Sequence, residues 1–218
     1  VAASVRPPKV EDKEIEIVPS DTISVLFDGL RDHALYPIAF LALATGMRRG
    51  ELLGLQWADV DLDRAVLRVE RSVEETKAGL RMKEPKTKRS RRNIGVPQDA
   101  VTMLRNHKVA QLELRLRLGL GNIAPQTLVF STIEGELLSP DNLSRDWIRV
   151  CKLRKLARYG FHALRHTHVS ILIRQGMDIL TISRRIGHSK PSVTLDVYGH
   201  LIEGADADAA RALDGVLK

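Results

Sequence analysis

Five side chains, Arg48, His162, Arg165, His188 and Tyr198, together with a lysine of the basic run "KEPKTKRSRR", stand out as a set able to handle a phosphate ester. Two guanidiniums can each grip two oxygens through a planar fork and so neutralise charge on an attacked phosphodiester without a metal. A tyrosine hydroxyl is a nucleophile once it loses its proton, but its ordinary pKa near 10 keeps it protonated at neutral pH. Surrounding cations are expected to favour the phenolate, and a histidine to accept the proton. A lysine can protonate the departing oxygen.

Each residue sits in a short motif. In "ATGMRRGELLGL", Arg48 follows a helix-stopping glycine and opens the next helix, where exposed amides also favour an anion. Glu51, one turn on, can orient Arg48 through an i, i+3 pair, whereas Arg49 reads as a solvated neighbour. In "KEPKTKRSRR", Lys83, Lys86, Lys88, Arg89, Arg91 and Arg92 face one acid, Glu84, and form a basic turn suited to a phosphodiester backbone. In "FHALRHTH", His162 and Arg165 share a helix face, as do His162 and His166 at i, i+4. Zinc would need a third and usually a fourth ligand, and neither a H-E-x-x-H motif nor a nearby cysteine supplies one, so no metal is expected. In "RRIGHSKPS", His188 follows a helix-ending glycine, a place that raises a histidine's basicity. In "SVTLDVYGHL", Tyr198 stands two residues before His200, which could assist it.

These motifs need elements to hold them. The apolar segment "LYPIAFLALAT" predicts a core helix stopped by Gly46. "AVLRVERSV" alternates Leu67, Val69 and Arg71 with Arg68 and Glu70, as a half-buried strand does. "GLRMKEPKTKRSRRNIGVP" reads as a hairpin whose far arm ends at Pro97. A helix over "QDAVTMLRNHKVAQLELRLR" follows, then a short "LVFS" strand and a helix capped by Ser139 with Pro140 at its first position. Three short helices close the pattern, ended by Gly176, by Gly187 and after Tyr198, with Asp178 capping the middle one. Ser20 or Asp21 is expected to cap the first helix of the chain. The fold class is mostly α with one small antiparallel β-sheet (α+β). Residues 1–18 read as a linker or arm, 19–202 as one domain, and 203–218 as an alanine-rich tail helix.

The 218 residues carry a formal net charge of +7, with 44% hydrophobic and 28% charged residues, the balance of a globular protein with a polyanionic partner. The longest apolar run is interrupted by Pro37 and is too short to span a membrane. The single cysteine, Cys151, excludes an internal disulfide and points to an intracellular setting. Val1 stands where a Met would open a complete chain, and no signal peptide is visible, so a fragment or processed form is expected.

The two arginine boxes, "ATGMRRGELLGL" and "HALRHTHVSILIRQGMDILTISRRIGHSKPSVTLDVYGHL", resemble those of the tyrosine recombinases, or phage-type integrases, and the likeness spans Leu41 to Leu201. The resemblance implies a catalytic domain that cuts and rejoins DNA through a 3′-phosphotyrosine, with no metal, ATP or other cofactor. Arg48 and Arg165 match the family's phosphate-clamping arginines, His162 and His188 its supporting positions, and Tyr198 its nucleophile. Lys86 matches its hairpin lysine, with Lys88 the alternative. The family usually carries a DNA-clamping domain ahead of the catalytic one. The implied partner is double-stranded DNA, with a monomer in solution, a homo-tetramer on paired sites, and the tail docking on a neighbouring subunit. A type IB topoisomerase, using the same chemistry for relaxation, and a non-catalytic DNA-binding factor are the competing readings.

Overall fold

The computed structural model describes residues 15–84 and 91–202. The eight helices among them are α1 (Ser20–Asp28), α2 (Tyr36–Thr45), α3 (Arg49–Leu53), α4 (Gln98–Arg117), α5 (Pro140–Leu153), α6 (Ala163–Arg174), α7 (Ile179–Ile186) and α8 (Pro191–Tyr198). The strands are β1 (Val60–Asp61), β2 (Val66–Val69), β3 (Ser72–Thr76), β4 (Gly79–Lys83) and β5 (Arg92–Gly95). The expected arm over 1–14, the tail over 203–218, and Lys86, Lys88 and Arg89 lie outside the described residues.

The architecture is mostly helical with a small antiparallel β component, as expected, but the strands divide differently from the anticipated hairpin. β4 pairs with β3, setting Ser72 against Lys83 and Thr76 against Gly79. β5 pairs with β2, setting Leu67 against Ile94. The two arms of 79–97 therefore belong to separate sheets, ordered β1-β2-β5 and β3-β4. The reason lies in what each arm buries. Leu67, Val69 and Ile94 turn one face of their ladder into the core, whereas β3-β4 leaves most of its residues accessible. The strand expected over "LVFS" reduces to one bridge between Gln56 and Leu128.

The core forms around α2, whose residues Ile38, Ala39, Leu41 and Ala42 are all buried. Trp147 of α5 is enclosed, donates its indole N–H to the Tyr159 carbonyl at 2.8 Å, and meets Phe161 edge-on. Such enclosed aromatics bury large apolar areas and supply much of a domain's hydrophobic stabilisation. A second, smaller core gathers Val169, Ile182, Ile186 and Tyr198 between α6, α7 and α8.

The punctuation expected of the helices is largely in place. Ser139 accepts from the Asn142 amide and Asp178 from the Thr181 amide, each supplying a side-chain N-cap. The first helix differs: its N-cap is Pro19, with no side-chain cap bond, and Ser20 is already helical. Val18, at the end of the expected arm, is buried and its amide donates to Thr167 Oγ1 at 2.8 Å. Glu16 accepts from the Gly160 amide at 2.9 Å, so this segment is stitched to the start of α6 and to the loop before it. Among the described residues, no helix is long and apolar enough to cross a membrane.

Candidate active site

The end of α2 begins the site. Gly46 adopts a left-handed backbone (φ 66°), and a Cβ there would lie 2.6 Å from the His168 ring. Only glycine takes this turn at little cost in so tight a place. The turn aims the Gly46 carbonyl at Arg165 and delivers Arg48 to the cap of α3. α3 itself lies close against β3: a Cβ on Gly50 would sit 2.4 Å from the Val73 carbonyl oxygen.

Arg48 and Arg165, far apart in sequence, converge on the last turn of α7. Arg165 donates to the carbonyls of Gly46 at 2.5 Å and Ile186 at 2.8 Å. Arg48 donates to Ile186 at 3.4 Å and to Gly187 at 3.1 Å. The two guanidiniums thus share one carbonyl oxygen, at the end of a helix whose dipole favours cations. Glu51 completes the cluster. Its carboxylate accepts from the Arg48 amide at 2.9 Å and the Arg48 side chain at 3.1 Å, as the i, i+3 spacing anticipates.

Arg92 is a correction. Expected to face DNA, it is almost fully buried, with 7% side-chain exposure, and grips both oxygens of Glu51 at 3.0 and 2.8 Å. Its Nε donates to the Arg185 carbonyl at 2.6 Å. The strand pairing explains this: opposite Val69, its side chain points toward α7 instead of outward. Burial opposes the Glu51 charge, but the hydrogen bonds and charges of Arg92 and Arg48 overcome it and hold the carboxyl below its ordinary range. Burial, and then the neighbouring Arg48, push Arg165 down to about 9, which leaves it cationic at neutral pH.

The histidines are neutral neighbours of these charges. His162 precedes the first turn of α6, and burial, followed by the charges of His166 and Arg165, takes it down to about 4. His188 also falls to about 4, through burial and then Arg165, Arg48 and Arg92. The expectation that its place after a helix would raise its basicity is overturned, because desolvation and three guanidiniums outweigh a helix end. Its Nδ1 lies 2.9 Å from the Thr194 hydroxyl.

Tyr198 is 1% exposed, its ring in the small core and its hydroxyl 2.7 Å from Nδ1 of His166. Burial pushes its pKa up to about 12, and the Arg165 charge offsets only part of that. The expected phenolate-favouring field is therefore outweighed in this structure. The histidine at the hydroxyl is His166 and not His200, which is exposed on the 3-10 turn after α8. The signal was present in the sequence: His166 lies at i+4 from His162, and their rings meet edge-on at 4.8 Å. No group of three or more His, Cys, Asp or Glu side chains among the described residues could hold a metal.

A cavity of about 410 Å³ opens over Arg48 and His162, bordered by Ser72, Glu74, Glu75 and Asp141. Its carboxylates are engaged: Lys83 and Arg81 on Glu74, Arg49 on Asp141 at 3.0 Å, and the Ser139 hydroxyl on Glu75. Lys83 is thus tied within its hairpin. Arg49, expected to be solvated, also donates to Ser144 Oγ at 2.8 Å and bridges α3 to α5. Arg91 pairs with Glu84 and Glu70 and stays about half exposed.

The phage integrase family pattern matches residues 22–204. The chain is 32% identical over 214 residues to a tyrosine recombinase XerC-like protein of Caldanaerobacter subterraneus subsp. tengcongensis, covering 93% of this chain and 55% of that one. It is 34% identical over 210 residues to the ICEBs1 integrase of Bacillus subtilis, covering 96% and 54%. The chain thus spans about half the length of these relatives. In fold it is similar to the Tn1549 transposon integrase, solved in complex with a circular intermediate DNA, with a TM-score of 0.77 at 20% identity, over 93% of this chain and 67% of that one. The XerA recombinase superposes with a TM-score of 0.65 at 23% identity, over 93% and 66%. The chain belongs to the phage integrase family, the tyrosine recombinases, and has the fold of their catalytic domain.

Proposed function

We propose that this chain is the catalytic part of a site-specific DNA recombinase that breaks and rejoins strands through a 3′-phosphotyrosine. The observation that carries the reading is the convergence of Arg48 and Arg165 on the Ile186 carbonyl, with His162, His188 and Tyr198 on the elements around them. A phosphate approaching this cluster meets the positive charge of two neighbouring guanidiniums. In-line attack by the Tyr198 oxygen places more charge on the non-bridging oxygens, where preorganised guanidiniums stabilise it. The Tyr198 oxygen–phosphorus bond forms as the bond to the 5′ oxygen breaks, and a lysine, Lys86 by resemblance, protonates that oxygen. The phosphotyrosine keeps the ester at nearly its original energy, so a second DNA hydroxyl can attack it and reseal the strand with no external energy source.

The partner in this reading is double-stranded DNA, with Lys83, Lys88, Arg89 and Arg91 near the backbone. The assembly is a homo-tetramer on paired sites and a monomer without DNA. No metal or other cofactor enters the scheme. The enclosed Tyr198 hydroxyl means that DNA must open a path to it before attack. The reading is tested on a nicked suicide duplex carrying a site selected by the protein. Wild-type chain should form a covalent adduct, while Tyr198→Phe should bind DNA and form none. An adduct trapped with the Phe protein refutes the assignment.

A further inference from the structure

Attack by Tyr198 requires a proton acceptor, and the histidines around it are differently committed. His188 has its Nδ1 on the Thr194 hydroxyl. His168 uses Nδ1 on the Leu43 carbonyl and Nε2 on Arg185. His200 is exposed. His162 meets the edge of the His166 ring. His166 has its Nδ1 2.7 Å from the Tyr198 hydroxyl, within the range in which a proton passes directly. A phenol is a stronger acid than a neutral imidazole N–H, so the hydroxyl donates and Nδ1 accepts, leaving the ring proton on Nε2.

Position reinforces chemistry. His166 directly follows Arg165, so one turn of α6 carries both an arm of the phosphate clamp and the group touching the nucleophile. Tyr198 is held against that turn by the small core that packs α8 on α6 and α7. We propose that His166 is a catalytic residue, the base that takes the Tyr198 proton as its oxygen attacks phosphorus and returns it when the phosphotyrosine is broken. In cleavage, the Tyr198 oxygen–phosphorus bond forms, the phosphorus–5′-oxygen bond breaks, and the phenolic proton passes to Nδ1. The electron pair of the broken bond goes to the 5′ oxygen, which is protonated by the lysine ammonium. In resealing, a DNA 5′ hydroxyl attacks, the phenolate leaves and recovers its proton from Nδ1, and the lysine recovers its own from the attacking hydroxyl.

The groups facing His166 are His162 at the cap of α6, Arg165 on α6, Tyr198 on α8 and Glu16 on the entering segment. Burial and the Arg165 charge lower its pKa, and the Glu16 carboxylate offsets part of this. The ring is thereby kept in its neutral, accepting form at physiological pH, with a carboxylate to help once it is charged.

The inference rests on Tyr198 as nucleophile, and the test separates the two. Single-turnover adduct formation is measured with the full chain on the nicked duplex, for wild type, His166→Asn, His166→Gln and Tyr198→Phe. A second duplex carries sulfur in place of the bridging 5′ oxygen, a leaving group that needs no acid. An asparagine oxygen can accept the same hydrogen bond but cannot hold the proton. Expected are wild-type DNA binding and melting for His166→Asn, adduct formation slower by about 100-fold or more, loss of the acid limb of the pH–rate profile, and no rescue by sulfur. Should Asn perturb the fold, Gln is read in the same way. A wild-type or faster rate, or restoration by sulfur, overturns the role of His166. An adduct with Tyr198→Phe overturns the nucleophile instead, and cannot be mistaken for slow reaction of the Asn protein.

Discussion

The guanidinium cluster and the tyrosine–histidine face lie side by side and are built on opposite terms. The guanidiniums of Arg48, Arg92 and Arg165 are held by backbone carbonyls of α2 and α7 and by Glu51. For Tyr198, His162, His166 and His188 the charged forms are disfavoured by burial and, for the histidines, by the Arg165 charge as well. The guanidiniums are thus fixed by the protein's own carbonyls and carboxylate, while burial works against charge on the titratable side chains beside them. Preorganised charge stabilises a transition state without reorganising, and neutral imidazoles are ready to accept protons.

The comparison is broken most directly by removing the anion at its centre. Glu51→Ala leaves Arg92 buried without its carboxylate and should cost about 3–5 kcal/mol of stability, read from urea unfolding. A loss under about 1 kcal/mol would mean that the carbonyls alone hold the arginines. Arg165→Lys replaces the fork with a point charge that cannot span the Gly46 and Ile186 carbonyls and a phosphate together. Single-turnover cleavage should fall by roughly 10²–10³-fold, with DNA binding retained. Near-normal cleavage would show that net charge, and not geometry, is what the site uses.

The titratable side is probed by acid. His168 and His188 have folded pKa values of about 4, below the ordinary 6.5, so between these limits the unfolded chain binds more protons than the folded one. Their contribution is fully present above about pH 6.5 and is lost as the pH falls toward 4. For buried His168 the loss is on the order of 2 kcal/mol across that window. Glu51, also lowered, pushes in the same direction at still lower pH. A stability flat from pH 7 to 4.5 would contradict the neutral assignment. The smallest effect belongs to Thr194→Val, which removes the hydroxyl at His188 Nδ1 and should cost about 1 kcal/mol while leaving the arginine contacts unchanged. A spectral change confined to α8 and His188 would support the separation of the two regions.

What could be read from the residues depended on the range of the signal. Local patterns translated directly: α4 runs over Gln98–Arg117 as its pattern requires, Ser139 and Asp178 cap, and Gly46 and Gly187 end their helices left-handed. Arg48 and Glu51 met as their spacing demanded because one turn of helix decides it. The basic segment deceived because charge suggests solvent, and only the β2–β5 register turns Arg92 inward. The single hairpin expected over 79–97 divides between two sheets for a similar reason: strand partners are chosen by shared burial, which nearness along the chain does not reveal. His200 looked right for Tyr198 by proximity, whereas tertiary packing of α8 on α6 gives the hydroxyl to His166.

One oxygen, that of Ile186, accepts from both Arg48 and Arg165. The two guanidiniums are consequently held near one another at a common acceptor, and each keeps anchors of its own: Gly187 and Glu51 for Arg48, Gly46 for Arg165. A chain carbonyl that draws two positive groups from distant segments to one spot lessens their mutual repulsion there.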